Sequence, residues 1–226
     1  MMKKFIFISL LSLSLFGYSQ INELGLSLAG SNYIGDVGNR NYINPNALAV
    51  GLVYKWNASS RIVYRLDATY IKLAADDANS YNDVRIARGY SFKNSVKELA
   101  VGIEFNYYDY SMTKREWRST PYLILQLAAF NYNRAVRETT PDNFETESKT
   151  GFTIPFGIGY KTTLGRNIGL GFETKFRYSF TDELDYNNPD IPKLNFGNPD
   201  SNDWYVTTGI TIVFGFGRRG CYSGAF

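Results

Sequence analysis

The stretch Ile168–Phe180, I-G-L-G-F-E-T-K-F-R-Y-S-F, restricts this 226-residue chain more than any other. Leu170, Phe172, Thr174, Phe176, Tyr178 and Phe180 alternate with Gly169, Gly171, Glu173, Lys175, Arg177 and Ser179. A period of two means an extended strand with two unlike faces, one aromatic and one charged. At about 3.3 Å per residue it spans roughly 40 Å, long for a small soluble domain and suited to a tilted bilayer crossing.

Similar strands recur along the chain. Ile21–Tyr33 sets Leu24, Leu26 and Leu28 against Glu23, Gly25 and Ser27, and Ala47–Trp56 follows the same rule. Arg61–Leu73 carries Arg65 and Asp67 on its polar face, and Val96–Tyr108 carries Glu98 and Glu104. Thr120–Tyr132 is apolar on both faces and is read as a strand from its neighbours. Phe152–Tyr160 has Pro155 inward, which suggests a bulge or local edge. Trp204–Phe216 closes the series of eight. Polar stretches at about 34–46, 74–94, 133–150 and 182–203 alternate with short turns at 57–60, 109–119 and 164–167. That pattern is expected of an all-β, eight-stranded antiparallel transmembrane β-barrel of the outer-membrane type, with long extracellular loops and short periplasmic turns. Both ends would lie on the periplasmic side.

Composition fits and excludes. The 16 Phe and 18 Tyr suit membrane girdles, and the 20 Gly suit a crowded interior. With no histidine, Ser-His-Asp catalysis and His-ligated metals are excluded; with Cys221 alone, so are an intrachain disulfide and a thiolate zinc cluster. No cofactor is indicated. Met1–Ser19 reads as a signal peptide: Lys3 and Lys4, an apolar run, then Gly17-Tyr18-Ser19 as a cleavage site. Its removal takes two of the 24 basic residues and leaves them near balance with 21 acids, so no nucleic-acid partner is expected. Residues 20–217 would form the barrel and 218–226 a periplasmic tail.

A soluble lipocalin-like barrel would put its apolar face inside, but eight strands cannot enclose that many aromatics. The charged face therefore goes inside: Glu23, Lys55, Arg65, Asp67, Glu98, Glu104, Glu173, Lys175 and Arg177. These could line a pore or a carboxylate active site. The expected arrangement is mutual pairing inside a closed lumen, because unpaired burial of charge is costly.

The loop Tyr33-Ile34-Gly35-Asp36-Val37-Gly38 is too poor in oxygen ligands for calcium and reads as a glycine-demanding strand end. The run E-L-G-L-S-L-A-G-S-N-Y-I-G-D-V-G, through Glu23, Gly25, Gly30, Tyr33, Gly35 and Asp36, resembles the start of PorG-like proteins. These are small Bacteroidota outer-membrane barrels associated with type IX secretion. The resemblance implies a non-enzymatic anchor or accessory of that secretion and gliding machinery. Its partners would be outer-membrane lipid and a periplasmic ring lipoprotein with its companion protein. The alternatives are an OmpA-like structural or adhesive barrel and, without histidine, a far less suitable lipid-modifying enzyme.

A periplasmic docking surface is expected from the turn carrying Arg115, Trp117 and Arg118 and the tail carrying Arg218, Arg219, Cys221 and Tyr222. Trp117 is an anchor type enriched at interface hot spots, and a lone exported thiol suggests an intermolecular contact.

Overall fold

A computed structural model describes residues 22–112, 118–140, 143–165, 167–196 and 201–217. The expected signal peptide and tail lie outside them. Eight strands close into one antiparallel ring in sequence order. They are β1 (Asn22–Ile34), β2 (Ala47–Asn57), β3 (Ile62–Asp76), β4 (Ser91–Asn106), β5 (Ser119–Thr140), β6 (Asn143–Thr163), β7 (Ile168–Ser179) and β8 (Trp204–Phe216). Closure comes from β1 on β8, in register from Asn22 opposite Phe216 to Ile34 opposite Trp204. A closed ring leaves no edge in the wall, so every backbone donor there can be met within the sheet.

The two faces fall as the alternation requires. Leu26 is 65% exposed on the outside, while Arg65 and Glu104, pointing inward, are 1% and 0% exposed. Outward Leu24, Leu52, Val101, Leu127, Ile158 and Phe172 belong to an apolar wall around the barrel. A soluble protein would not expose so large a continuous apolar surface; hydrocarbon is the medium that suits it. Gly102 and Gly157 lie where any Cβ would strike the neighbouring strand's backbone, so close approach of the ladder requires glycine there.

Four details depart from expectation. The polar stretch 133–150 is mostly not loop: β5 and β6 run on as a two-stranded ribbon past their other neighbours, to Thr140 opposite Asn143. The partner strands stop earlier, β4 pairing β5 to Lys97–Asn131 and β7 pairing β6 to Ser179–Thr153. Outside the membrane the ribbon needs no continuous apolar stripe: one face packs only locally, Ala135 and Phe144 against Ile191 and Leu194 of the β7–β8 connection, so the apolar alternation that marks a strand disappears. β3 and β4 likewise reach into the expected 74–94 loop, as far as Asp76 opposite Ser91, with Ala75 and Phe92 turned inward onto the buried cluster around Tyr33. Between them lie a 3-10 turn (Asp77–Asn79) and α1 (Asp83–Arg88), which opens on the Asn82 side chain capping Val84 N–H at 2.9 Å. The helix stops at Gly89, whose φ of 64° is left-handed. The short-against-long rhythm fails accordingly: the β4–β5 connection runs from 107 to 118, while only 141–142 separate β5 from β6. Pro155 interrupts the pairing with β5 opposite Gln126 but causes no register shift; the irregularities lie at Ala135/Arg137 and Glu138/Thr140.

Candidate functional site

All nine expected lumen charges point inward and are buried. The centre is Arg65 on β3, a strand whose inward positions also hold Val63, Asp67 and Thr69. Its guanidinium donates to both oxygens of Glu173 on β7 at 2.8 Å, to Asp67 at 2.8 Å and to Glu104 at 3.2 Å. Lys55 reaches Glu104 at 2.8 Å, and Lys175 reaches Asp67 at 2.9 Å and Glu173 at 3.4 Å. Further along the lumen Arg177 holds Glu98 at 2.8 Å, and Tyr205 donates to the same carboxylate at 2.9 Å.

Two members differ from the expected set. Lys161, unforeseen, donates to Glu104 and is 4% exposed. It continues the inward series Gly157, Gly159 on β6, so the period of two pointed to it once the strand ran to Thr163. With it the buried wall charges among the described residues comprise five acids and five bases, one base more than the expected set holds. Glu23 is the exception to pairing. Among the described residues no cation comes within ion-pair distance, and it accepts instead from Asn57 at 2.8 Å.

Buried charges are held only when paired and hydrogen-bonded, because desolvation costs several kcal/mol per ion. Here each carboxylate of the central group already accepts from at least two cations. Such carboxylates are saturated, and their salt bridges cross from β3 to β7 and from β2 to β4. The arrangement ties opposite walls together and fills the space between them.

Both mouths are stoppered. At the short-turn end Tyr110 and Met112, from the β4–β5 connection, fold inward onto Val213 and are 4% and 2% exposed. Lys161 lies under the Tyr110 ring at 4.4 Å. At the other end the β7–β8 connection turns into the barrel, burying Leu184 and Asp185 completely. Tyr33 is the hub of this cap: its hydroxyl donates to Asp185 at 3.0 Å and also meets Asp203. A Cβ on Gly35 would collide with the Tyr33 hydroxyl, so glycine is required there by close approach. Gly38, at φ 74°, supplies the left-handed turn. Arg85 of α1 donates to the carbonyls of Gly38 and Gly35, each at 2.9 Å. Arg88 binds Asp77 at 2.7 Å and stacks on Phe196 at 4.4 Å. The Tyr-x-Gly-Asp run is thus the foundation of a folded cap as well as a glycine-demanding strand end.

Burial raises the cap carboxyls. Asp185 is pushed up to about 6 and Asp182 to about 7, while Asp203, also facing the charge of Asp185, lies well above the ordinary range.

Of the expected docking residues, Arg118 alone is described. Its amide donates to the Thr163 hydroxyl at 3.0 Å, and its carbonyl accepts from the Thr163 amide at 3.0 Å, binding the turn to β6. Arg115, Trp117, Arg218, Arg219, Cys221 and Tyr222 lie outside the described residues.

A family model described as a domain of unknown function, DUF6089, matches residues 2–225. The chain belongs to the DUF6089 family. No curated protein matches it. Among solved structures, this DUF6089 chain is similar to Ail, the attachment invasion locus protein of Yersinia pestis, in complex with the heparin analogue sucrose octasulfate. Identity there is 11%, covering 88% of this chain and 99% of that one, with a TM-score of 0.49. A major outer membrane protein of Thermus thermophilus matches at 13% identity over 87% and 99%, TM-score 0.48. Neisserial surface protein A matches at 11% over 86% and 97%, TM-score 0.46.

Proposed function

We propose that the chain is a non-enzymatic outer-membrane barrel that anchors or assists the type IX protein secretion and gliding machinery. The observation that carries the non-conducting part of this reading is the filled lumen. The central carboxylates are saturated by cations, which leaves none of them free for acid–base work, and two stoppered mouths leave no route for a solute. Work is then left to the surfaces. The link to secretion rests on the PorG-like run from Glu23 to Gly38, whose residues also build the cap. In this reading the short-turn face, with the Arg118 turn and the tail from Arg218, meets the periplasmic ring lipoprotein.

The test is a deletion strain complemented with the full chain or with a chain ending at Gly217. The full chain should restore export of secreted cargo and co-purify the ring lipoprotein. The truncated chain should assemble in the outer membrane and do neither. Normal export in the deletion strain contradicts the secretion role; normal export with the truncated chain removes only the tail from it.

An adhesive barrel is the second reading, favoured by one feature. α1 and its approach leave Tyr81 and Val84 86% and 77% exposed at the capped end. Surface binding lost on mutating these residues, with secretion intact, would select it.

A further inference from the structure

On the outer wall the apolar columns of β3 and β4 stop at one level. Outward from β3 come Ile62, Tyr64, Leu66, Ala68 and Tyr70, and then Lys72. Outward from β4 come Phe105, Ile103, Val101 and Leu99, and then Lys97 and, two pleats on, Lys93. The register sets Tyr70 opposite Lys97, Lys72 opposite Ser95 and Ala74 opposite Lys93. Lys72 is therefore the diagonal neighbour of both other lysines, a separation of about 7–8 Å. All three are exposed.

Like charges at this spacing repel, and the other described lysines are each paired with a carboxylate. Lys149 and Lys193 at the capped end reach Glu183 and Glu138, each at 2.8 Å. Lys72, Lys93 and Lys97 meet no carboxylate among the described residues. The acid next along β3, Asp76, instead accepts from Ala78 N–H at 2.9 Å. The three ammonium groups share a patch at the border of the apolar wall, without a counter-charge among the described residues.

A trough of about 530 Å3 lies directly beside the patch, lined by Ala68, Tyr70, Lys97, Leu99, Ala129 and Asn131 among others. The ladders place Ala68, Leu99 and Ala129 in one row. Two alanines in that row lower the wall on either side of Leu99, while Tyr70 and Lys97 stand above it. The trough is apolar below and cationic at its upper rim.

We propose that this face binds a membrane lipid with an anionic, phosphorylated headgroup: the phosphate on Lys72, Lys93 and Lys97, an acyl chain along the trough at Ala68 and Ala129. The inference rests on the barrel's place in a bilayer and is independent of any part in secretion. A phosphate suits a cluster of ammonium point charges. A soluble anion would satisfy the lysines and leave the trough unused. Only a lipid offers charge and chain at this border, where juxtamembrane lysines gain most from anionic headgroups.

The test uses the full-length protein in phosphatidylcholine nanodiscs doped with diphosphoryl lipid A or its dephosphorylated form, with retained lipid counted by native mass spectrometry. The wild type should retain the phosphorylated form selectively, and less of it at high salt. Replacing all three lysines by Gln should weaken retention on the order of a hundredfold, the combined effect of three such lysines. Replacing all three by Arg should preserve retention, and Ala129→Phe should reduce it by filling the trough. Heat-modified gel mobility shows which variants hold the folded barrel. Equal retention of the two lipids by the wild type overturns the proposal even if the Gln variant fails to fold. So does full retention by a folded Gln variant. Displacement by inorganic phosphate at the lipid's own concentration would make this a free-anion site and overturn the lipid assignment.

Discussion

Arg65 and Glu173 face each other across the barrel from β3 and β7 and are joined by two parallel hydrogen bonds, each of 2.8 Å. A bidentate pair fixes both distance and orientation, so it sets how far apart those two strands stand.

Arg65→Ala should therefore be among the most damaging single changes. It leaves Asp67, Glu104 and Glu173 with less compensating charge in a buried setting, at a cost of about 3–5 kcal/mol. Arg65→Met combined with Glu173→Gln should recover most of that loss, since both halves of the pair are removed together. Urea unfolding in detergent micelles measures the cycle. Additive losses would show that the two residues are not coupled.

The outer wall makes an opposite demand. Leu26→Arg places a charge in hydrocarbon and should cost roughly 2–4 kcal/mol if it lies near the midplane, while Leu26→Ala should cost far less. Folding into bilayers, followed by heat-modified gel mobility, reads the difference. Equal behaviour of the two variants would mean that this face does not meet lipid.

Much of this was legible beforehand for a physical reason. Wherever one side of a strand meets lipid and the other meets the lumen, the alternation is forced, as in Leu24, Leu26 and Leu28 against Glu23. β5 was the weakest case because its inward side, with Tyr122, Ile124 and Phe130, is itself apolar and packs inside the barrel. The ribbon above Asn131 is hidden because neither of its faces meets lipid, and only isolated residues such as Ala135 pack against the β7–β8 connection. Lys161 falls outside the expected strand, which stops at Tyr160, three residues short of the end of β6 at Thr163. The partners across the lumen were not legible at all: 108 residues separate Arg65 from Glu173, and only ring closure brings them together.

Acidity should tighten the cap. Asp182, Asp185 and Asp203 all have raised values in the folded cap, so the folded form binds protons more tightly than the open one. Their contribution is fully present below about pH 4, the ordinary carboxylate value, and is lost as pH climbs through the raised values of about 6 and about 7. The Leu184 amide, which donates to Asp203 at 3.0 Å, reports on this directly. Its hydrogen exchange, corrected for intrinsic base catalysis, should speed up between about pH 5 and about pH 8, and Asp203→Asn should flatten the dependence. Slower exchange at the higher pH would reverse the sign.

The closed lumen is tested most directly by current. Nine of the ten buried wall charges among the described residues are ion-paired in the lumen and Glu23 is held by Asn57; Tyr110 and Met112 block one mouth, and Leu184 and Asp185 block the other. Purified protein in planar bilayers should therefore give no stable conductance of porin size at any modest voltage, and Met112→Gly alone should not create one, because the Arg65 network remains beneath. A persistent, large, wild-type current would contradict the closed barrel and return the interior charges to the lining of a pore.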